Sequence, residues 1–289
     1  MDWTLIAIIS ALFSALASII EKKILFKERV AEFTAFLALI NLILVIPFFL
    51  SIESIPSTTG LLVLFFKSLL NAIAFFCVMK AIKSLELSSA LPLLVLTPGL
   101  VAIFASIFLK ESLMLWQIVG LILLIIGTYA LQIRKKQKFL DPFKILFKTK
   151  GYRYVITALL LFTITSILDK TILKVFKFPV NTFMAFQHLF FAIIFIAILF
   201  IFIKPKKIQV PSKSSWILLI ILAIFTIIYR YAELTAMSMA PVALVLVLKR
   251  LSVLFSTIVG GKLFKESHLL LKTIATIIII AGALLIILT

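Results

Sequence analysis

Long apolar runs alternate with short polar connections along the whole chain. Runs such as 113–133 and 269–288 are long enough to cross a lipid bilayer as helices, which takes about 20 residues. We interpret the pattern as ten helices: α1 (3–20), α2 (31–51), α3 (58–79), α4 (87–109), α5 (113–133), α6 (153–173), α7 (180–203), α8 (214–237), α9 (241–263) and α10 (268–288). The pattern therefore predicts an all-α integral membrane protein with ten transmembrane helices.

The sequence repeats itself at a distance of 155 residues. A Lys-Glu-Ser triplet precedes an apolar run at 110–112 and again at 265–267, and two small residues lie at equal positions within each run. These are Gly120 and Gly127 in the first run and Ala275 and Gly282 in the second. A weaker similarity joins 18–22 at the end of α1 to 166–170 at the end of α6. The chain is therefore predicted to be a duplicated membrane unit.

The duplication predicts how the chain is divided. We expect a first repeat at 1–133, a basic central loop at 134–152 and a second repeat at 153–289. Each repeat would hold five helices, and an odd number forces the two repeats into opposite orientations across the membrane. The prediction is therefore a pair of inverted five-helix repeats, an arrangement found in many secondary transporters.

Positive charge predicts which side of the membrane each loop faces, since cytoplasmic loops carry an excess of lysine and arginine. The loops α1–α2, α3–α4, α5–α6, α7–α8 and α9–α10 together carry 20 of these residues, and the opposite side carries 4. We therefore expect a multi-pass protein of the plasma (inner) membrane, with the central loop cytoplasmic and both termini outside. Because no basic stretch precedes α1, we expect α1 to be retained rather than cleaved as a signal peptide.

Composition argues against several other classes of protein. Apolar residues make up 64% of the 289 residues, well above the share in soluble domains. The net charge of +18 is explained by cytoplasmic loops, so we expect no nucleic acid among the partners. One cysteine, Cys77, and two histidines are too few for a disulfide framework or a Cys/His metal site. We expect no metal and no cofactor; the expected partners are a small-molecule substrate and the lipid bilayer, with the chain a monomer or homodimer.

Charged residues inside the predicted helices are the main candidates for function, because a charge at mid-bilayer costs about 2.5–3.5 kcal/mol on insertion scales. With a rise of about 1.5 Å per residue, one layer about 10–14 Å from the outer face holds six polar residues. They are Lys67 in α3, His188 in α7, Tyr229 and Arg230 in α8, and Lys249 and Arg250 in α9. The chief acid expected nearby is Glu233. Such a layer suits a carboxylate or phosphate ligand, so we predict that these six residues bind substrate.

Each of these candidates has a structural alternative. Lys249 or Arg250 would instead hold α9 to a neighbouring helix through an ion pair, for example with Glu233. Arg230 and Glu233, three residues apart, would form an ordinary helix ion pair, which is the interpretation we prefer for Glu233. His188 would instead be a hydrogen-bonded core histidine. Lys67 would instead extend its long side chain outward to the membrane surface.

Two prolines and two glutamates have predicted roles outside the binding site. Pro92 and Pro98 interrupt α4, where each is either a gating hinge or a static kink, and the kink is favoured for Pro92 because it lies nearer the helix end. Glu111 and Glu266 lie at the starts of α5 and α10, where an acid is favourable. We interpret both glutamates as structural helix caps.

Two five-helix repeats, each with a Lys-Glu pair before its last helix, resemble the EamA-type members of the drug/metabolite transporter superfamily. The segment from 90 to 99, Ala-Leu-Pro to Thr-Pro-Gly, is similar to the fourth helix of such repeats. The resemblance covers nearly the whole chain and implies a transporter of small metabolites whose halves rock about one site. The Lys-Arg pair in α9 is also similar to the dipeptide that binds phosphate in plastid sugar-phosphate translocators. Many relatives have cytoplasmic termini, whereas the charge count here favours the reverse.

The leading hypothesis is a secondary transporter (exchanger, facilitator or exporter) of a small anionic or zwitterionic metabolite, working by alternating access. One alternative is a flippase for a lipid-linked anion, which would use the same layer but open laterally to lipid. A membrane-embedded enzyme is disfavoured, because the predicted helices lack paired carboxylates and a Gly-x-Ser-x-Gly motif, and no catalytic residue is predicted. His188 leaves proton coupling open.

Overall fold

The computed structural model describes residues 2–52, 56–96, 114–132, 148–240 and 251–288, together with positions 100, 245, 248 and 249. The regular structure of these residues is helical, and no strand occurs among them. The predicted all-α class is therefore confirmed.

The described helices correspond to the ten predicted segments. The first half contains α1 (Trp3–Leu25), α2 (Val30–Leu44, continued by Ile46–Leu50), α3 (Thr58–Ser84), α4 (Leu87–Ala90, followed by the 3₁₀ turn Pro92–Leu96) and α5 (Leu115–Gln132). The second half contains α6 (Lys150–Lys174), α7 (Val180–Phe202), α8 (Lys213–Met239), α9 (Leu251–Phe255, the π-helical Ser256–Gly260 and Gly261–Leu263) and α10 (Leu269–Leu288).

Five of these helices, α1, α3, α6, α7 and α8, are long and apolar enough to cross a membrane. Shorter apolar helices occupy the positions of α2, α4, α5, α9 and α10. The chain is thus a multi-pass helical membrane protein, and the full count of ten spans stays a prediction.

Helices α1 and α3 extend about one turn beyond their predicted ends at 20 and 79. The polar residues in these extra turns were expected to lie in loops. Lys22 instead finds partners inside the protein, because its Nζ atom donates to the carbonyl oxygens of Ile82 and Leu85, both at 2.5 Å. The extension places Glu21 about one turn before the end of α1 rather than at its end.

Loops that were predicted to share one side of the membrane contact one another. The Lys22 bonds join the α1–α2 junction to the end of α3, and the Glu32 carboxylate accepts the N–H of Gln209 in the α7–α8 loop at 2.6 Å. At the opposite end of the molecule, Asn181 in the first turn of α7 donates to the Ser51 hydroxyl after α2 at 3.0 Å. We call the end that holds the α1–α2, α3–α4, α7–α8 and α9–α10 connections the basic end.

The packing of the helices is the same when the two halves are exchanged. The most extensive contacts join α1 to α8, α3 to α6, α2 to α7 and α5 to α10. If each helix is replaced by its equivalent in the other half, the α1–α8 pair becomes the α6–α3 pair. The α2–α7 and α5–α10 pairs each consist of two equivalent helices, so they stay the same. Each pair joins one half to the other, so the core of the protein is also the interface between its repeats.

The small residues that mark the repeat meet where α5 packs on α10. A Cβ atom on Gly127 would lie 3.0 Å from the Ala275 carbonyl oxygen, and one on Gly282 would lie 2.7 Å from the Gly120 carbonyl oxygen. Only hydrogen in place of a side chain permits this approach of the two backbones. The repeated glycines are therefore explained by helix packing, away from the cavity described next.

Candidate functional site

A cavity of about 290 Å³ lies between the two halves of the molecule. It is lined by α1 to α4 from the first half and by α6 to α9 from the second, and no described residue of α5 or α10 lines it. Many lining residues occupy equivalent positions in the repeat. Examples are Ser18 and Ser166, Glu21 and Asp169, and Phe75 and Arg230. Each half thus lines the cavity with equivalent backbone positions, but many of the side chains at these positions differ between the halves.

One wall of the cavity carries a chain of ion pairs. The Lys67 ammonium lies 2.7 Å from Asp169, and the Arg230 guanidinium lies 2.9 Å from the other oxygen of the same carboxylate. Arg230 also binds Glu233 at 3.0 Å, and Glu233 binds the Lys249 ammonium at 2.5 Å. This ionic network joins α3, α6, α8 and α9. Its three cations and two carboxylates leave a net charge of +1 among these residues.

Most of the ionic network is shielded from solvent. The Lys67 side chain is 0% exposed, and the most accessible member, Lys249, is 23% exposed. Phe183 lies against two of the cations, with its ring centre 5.1 Å from the Lys67 nitrogen and 5.8 Å from the Arg230 guanidinium carbon. Cation–π contacts of this kind add to the attraction between the ion pairs. The network is therefore both a structural link and one wall of the cavity.

Glu21 and His188 are polar side chains of the cavity that have no partner among the described residues. Glu21 is 6% exposed and lines the cavity, and no hydrogen bond or ion pair joins it to another described residue. His188 is 2% exposed, and neither ring nitrogen has a hydrogen-bond partner within the described part of the chain. Its ring contacts Phe191 edge-on. The interpretation of His188 as a hydrogen-bonded core histidine is therefore not supported.

The repeat explains why Asp169 is paired and Glu21 is not. Both acids occupy the same position, Glu21 in α1 and Asp169 in α6. The cations that neutralise Asp169 come from α3 and α8. The position in α8 that is equivalent to Lys67 holds Leu222, and the position in α3 that is equivalent to Arg230 holds Phe75. Neither position equivalent to a counter-ion of Asp169 therefore offers Glu21 a positive charge.

The structure brings most of the predicted binding residues together. Tyr229, Arg230, His188 and Lys249 all line the cavity. Lys67 is not among the lining residues; it does not reach outward along its stem, but lies behind Asp169 as a buried counter-ion. Arg250 lies outside the described residues, as do Pro98 and Glu111.

Sequence reasoning missed the two acids Asp169 and Glu21. The similarity of 18–22 to 166–170 was visible, yet both acids were assigned to helix ends rather than to the cavity. Glu233 was expected as the chief acid of the layer, and it does bind Arg230, as the helix ion-pair interpretation predicts. Asp169 adds a second carboxylate, so the layer is less cationic than predicted.

Pro92 coincides with a change of helix type in α4. The α-helix ends at Ala90, and the chain continues as a 3₁₀ helix from Pro92 to Leu96. Because proline lacks an N–H and clashes with the preceding turn, it does not fit an α-helix interior. Pro92 therefore interrupts α4 as expected, and the choice between a hinge and a static kink stays a prediction.

Glu266 caps a different helix from the one predicted. Its carboxylate accepts the N–H groups of Leu87 at 2.6 Å and Ser88 at 2.9 Å, at the start of α4, instead of those of α10. Glu86 acts in return, accepting the N–H of Ser267 at 3.0 Å and the ammonium of Lys272. We call this reciprocal arrangement the carboxylate lock. It ties the start of α4 to the start of α10 at the basic end.

The fold and the cavity define a helical membrane protein with one site between two similar halves. A model of the EamA-like transporter family matches residues 1–132 and 149–288. The chain belongs to this family and is a membrane transporter of the drug/metabolite transporter type. A solved crystal structure is similar in fold, with a TM-score of 0.68 and 19% identity over 98% of this chain and 97% of that chain. No curated protein was found to match the chain.

Proposed function

We propose that this transporter moves a small organic metabolite that carries a negative charge, by alternating access between its two halves. The metabolite would bind in the cavity between the repeats, beside the ionic network. The basic loops would face the cytoplasm of a cell bounded by a plasma (inner) membrane. The observation that carries the proposal is the cavity itself, with its net positive wall.

The position of the cavity supports alternating access. It is lined by equivalent helices from both halves, and every major helix pair that surrounds it joins one half to the other. A rigid-body rocking of the halves would therefore open one end of the cavity as the other end closes. This is the usual working of transporters built from inverted repeats.

The size and charge of the cavity support a small, negatively charged ligand. Its volume of about 290 Å³ corresponds to roughly ten water molecules at about 30 Å³ each, and it lies at the lower limit of sites for drug-sized molecules. The net charge of +1 on the ionic network favours an anionic group near Arg230 and Lys249. An arginine guanidinium also matches the geometry of a carboxylate or phosphate.

Lys249→Gln is expected to weaken the binding of carboxylated or phosphorylated metabolites about ten-fold or more, because a charge-assisted contact is lost. The measurement is a thermal-shift titration of the purified protein in detergent, since a ligand that binds the folded state raises its apparent stability. The panel compares carboxylates, phosphates, amino acids and neutral sugars. Uptake of the hits into proteoliposomes then tests transport.

The matched control is Lys206→Gln, which removes the same charge from an exposed loop. It should leave the ligand-induced shift unchanged. Equal shifts in Lys249→Gln and the wild type would place the anion elsewhere, and the lack of any hit among water-soluble anions would contradict the proposal. Stabilisation only by lipid-linked anions would favour the flippase.

A further inference from the structure

We propose that Glu21 binds a positively charged amino group of the transported molecule, so that the site takes a zwitterion rather than a simple anion. The inference rests on the proposed function, because it assigns the second pole of the same ligand. The ionic network would face the negative group, and Glu21 would face the ammonium group.

Glu21 has the features of a ligand-binding group. Its side chain is 6% exposed, and it lines the cavity from a position about one turn before the end of α1. Ionised carboxylates are costly to bury unless they are paired. Glu21 has no such partner among the described residues, although the equivalent Asp169 has two. A cationic ligand would supply the missing counter-ion.

The charged groups on the helices packed against α1 are committed to other partners. From α8, Arg230 is bound to Asp169 and Glu233, and Tyr229 faces the cavity. From α9, Lys249 is bound to Glu233, and from α3, Lys67 is bound to Asp169. Lys22, the neighbour of Glu21, points away toward the end of α3 and donates to backbone carbonyl oxygens there. The network is thus nearly balanced in charge, and Glu21 stands apart from it.

The hydroxyl groups of the cavity are also arranged to accept hydrogen bonds. Six lining hydroxyls donate their only hydrogen to a carbonyl oxygen of their own helix: Ser18, Thr34, Thr165, Ser166, Thr226 and Ser256. Each of these oxygens keeps its lone pairs and can act only as an acceptor toward a ligand, although that of Thr226 already pairs with the Tyr229 hydroxyl. The buried Oδ1 atom of Asn41, another lining residue, has no donor within the described chain.

A cavity rich in acceptors fits a ligand rich in donors. A primary ammonium group carries three donors and one positive charge, and its hydrogen bonds to a carboxylate are about twice as strong as neutral ones. Ser18 precedes Glu21 by three residues, so both side chains lie on one face of α1. We therefore assign the ammonium subsite to Glu21 with acceptor oxygens such as that of Ser18.

The test compares ligands that differ only in the amino group. Amino acids and their deaminated analogues are titrated against the wild type and Glu21→Gln by thermal shift. In the wild type, the amino acid should bind at least about ten-fold more tightly than its deaminated analogue, and Glu21→Gln should remove that preference. Because the variant loses an unpaired buried carboxylate, its stability without ligand should equal or exceed that of the wild type.

Glu28→Gln is the matched control, since Glu28 is another buried glutamate but lies outside the cavity, in the α1–α2 connection. It should keep the preference for the amino group. If carboxylates bind and the amino group makes no difference, the assignment of Glu21 is wrong while the proposed function stands. If no carboxylate, amino acid or phosphate binds, both are wrong. A third outcome is that sodium chloride stabilises the wild type more than choline chloride does, and that Glu21→Gln removes this difference. That result would overturn the amine assignment in favour of an inorganic cation.

Discussion

Asp169→Ala is expected to lower the free energy of unfolding by about 3–5 kcal/mol, the usual cost of removing one partner from a buried ion pair. Asp169 neutralises both Lys67 and Arg230, at 2.7 and 2.9 Å. Without it, Lys67 would remain fully buried with no counter-ion, because Glu233 is bound to Arg230 and Lys249. The measurement is reversible unfolding in mixed detergent micelles, followed by circular dichroism.

The repeat supplies the matched control for this prediction. Glu21→Ala removes a carboxylate from the equivalent position of the first half, where no counter-ion is left behind, so its cost should be much smaller. Replacing both partners, Lys67→Met with Asp169→Leu, should recover most of the stability lost in Asp169→Ala, since apolar residues often substitute for a buried ion pair. Equal destabilisation by Asp169→Ala and Glu21→Ala would contradict the role of the ionic network.

The helical class and the repeat follow from local sequence, and so they could be predicted. Apolar runs of bilayer length have few alternatives to a helix. The repeated glycines could also be located, although their purpose became clear only when Gly127 was found against Ala275 and Gly282 against Gly120. Such a contact joins residues that are far apart in sequence, and only the packing of α5 on α10 reveals it.

The cations of the site could be predicted because a charge within an apolar run stands out. Glu233 could be predicted for the same reason, but Glu21 and Asp169 could not, because they lie close to helix ends, where hydrophobicity falls. An acid at such a position is ordinarily solvated. Here Lys22 donates to carbonyl oxygens at the end of α3, and its neighbour Glu21 lines the cavity instead of lying in solvent.

The partner of Glu266 was also beyond local reasoning. An acid at the start of a helix is expected to bind the N–H groups of that helix. The N–H groups that Glu266 does bind belong to Leu87 and Ser88, nearly 180 residues away in the chain. The carboxylate lock therefore depends on how α4 and α10 meet at the basic end, which no pattern along the sequence encodes.

Glu266→Ala is expected to destabilise the protein by about 2–3 kcal/mol, because Leu87 and Ser88 are fully buried and their N–H groups would lose a charged acceptor. In the proposed transport cycle, opening of the basic end would separate α4 from α10, so the variant should also favour the state open at this end. A cysteine introduced by Ser18→Cys in a Cys77→Ala background reports that state. Its labelling by a charged thiol reagent should be faster when Glu266→Ala is added.

The pH dependence of the carboxylate lock provides an independent check through Glu86. Burial acts to raise the pKa of Glu86, but hydrogen bonds from Lys272 and Ser267 outweigh it and hold the pKa below its ordinary value of 4.5. A carboxyl with a depressed pKa stabilises the fold fully above its unfolded value and loses that contribution as the pH falls through its folded value. Because the thiolate is the reactive form, the labelling rate of the cysteine at position 18 is divided by that of a free thiol at the same pH. This ratio should rise below about pH 4.5, and in Glu86→Gln it should be high and independent of pH in that range. Slow labelling in both Glu86→Gln and Glu266→Ala would show that other contacts hold the basic end closed.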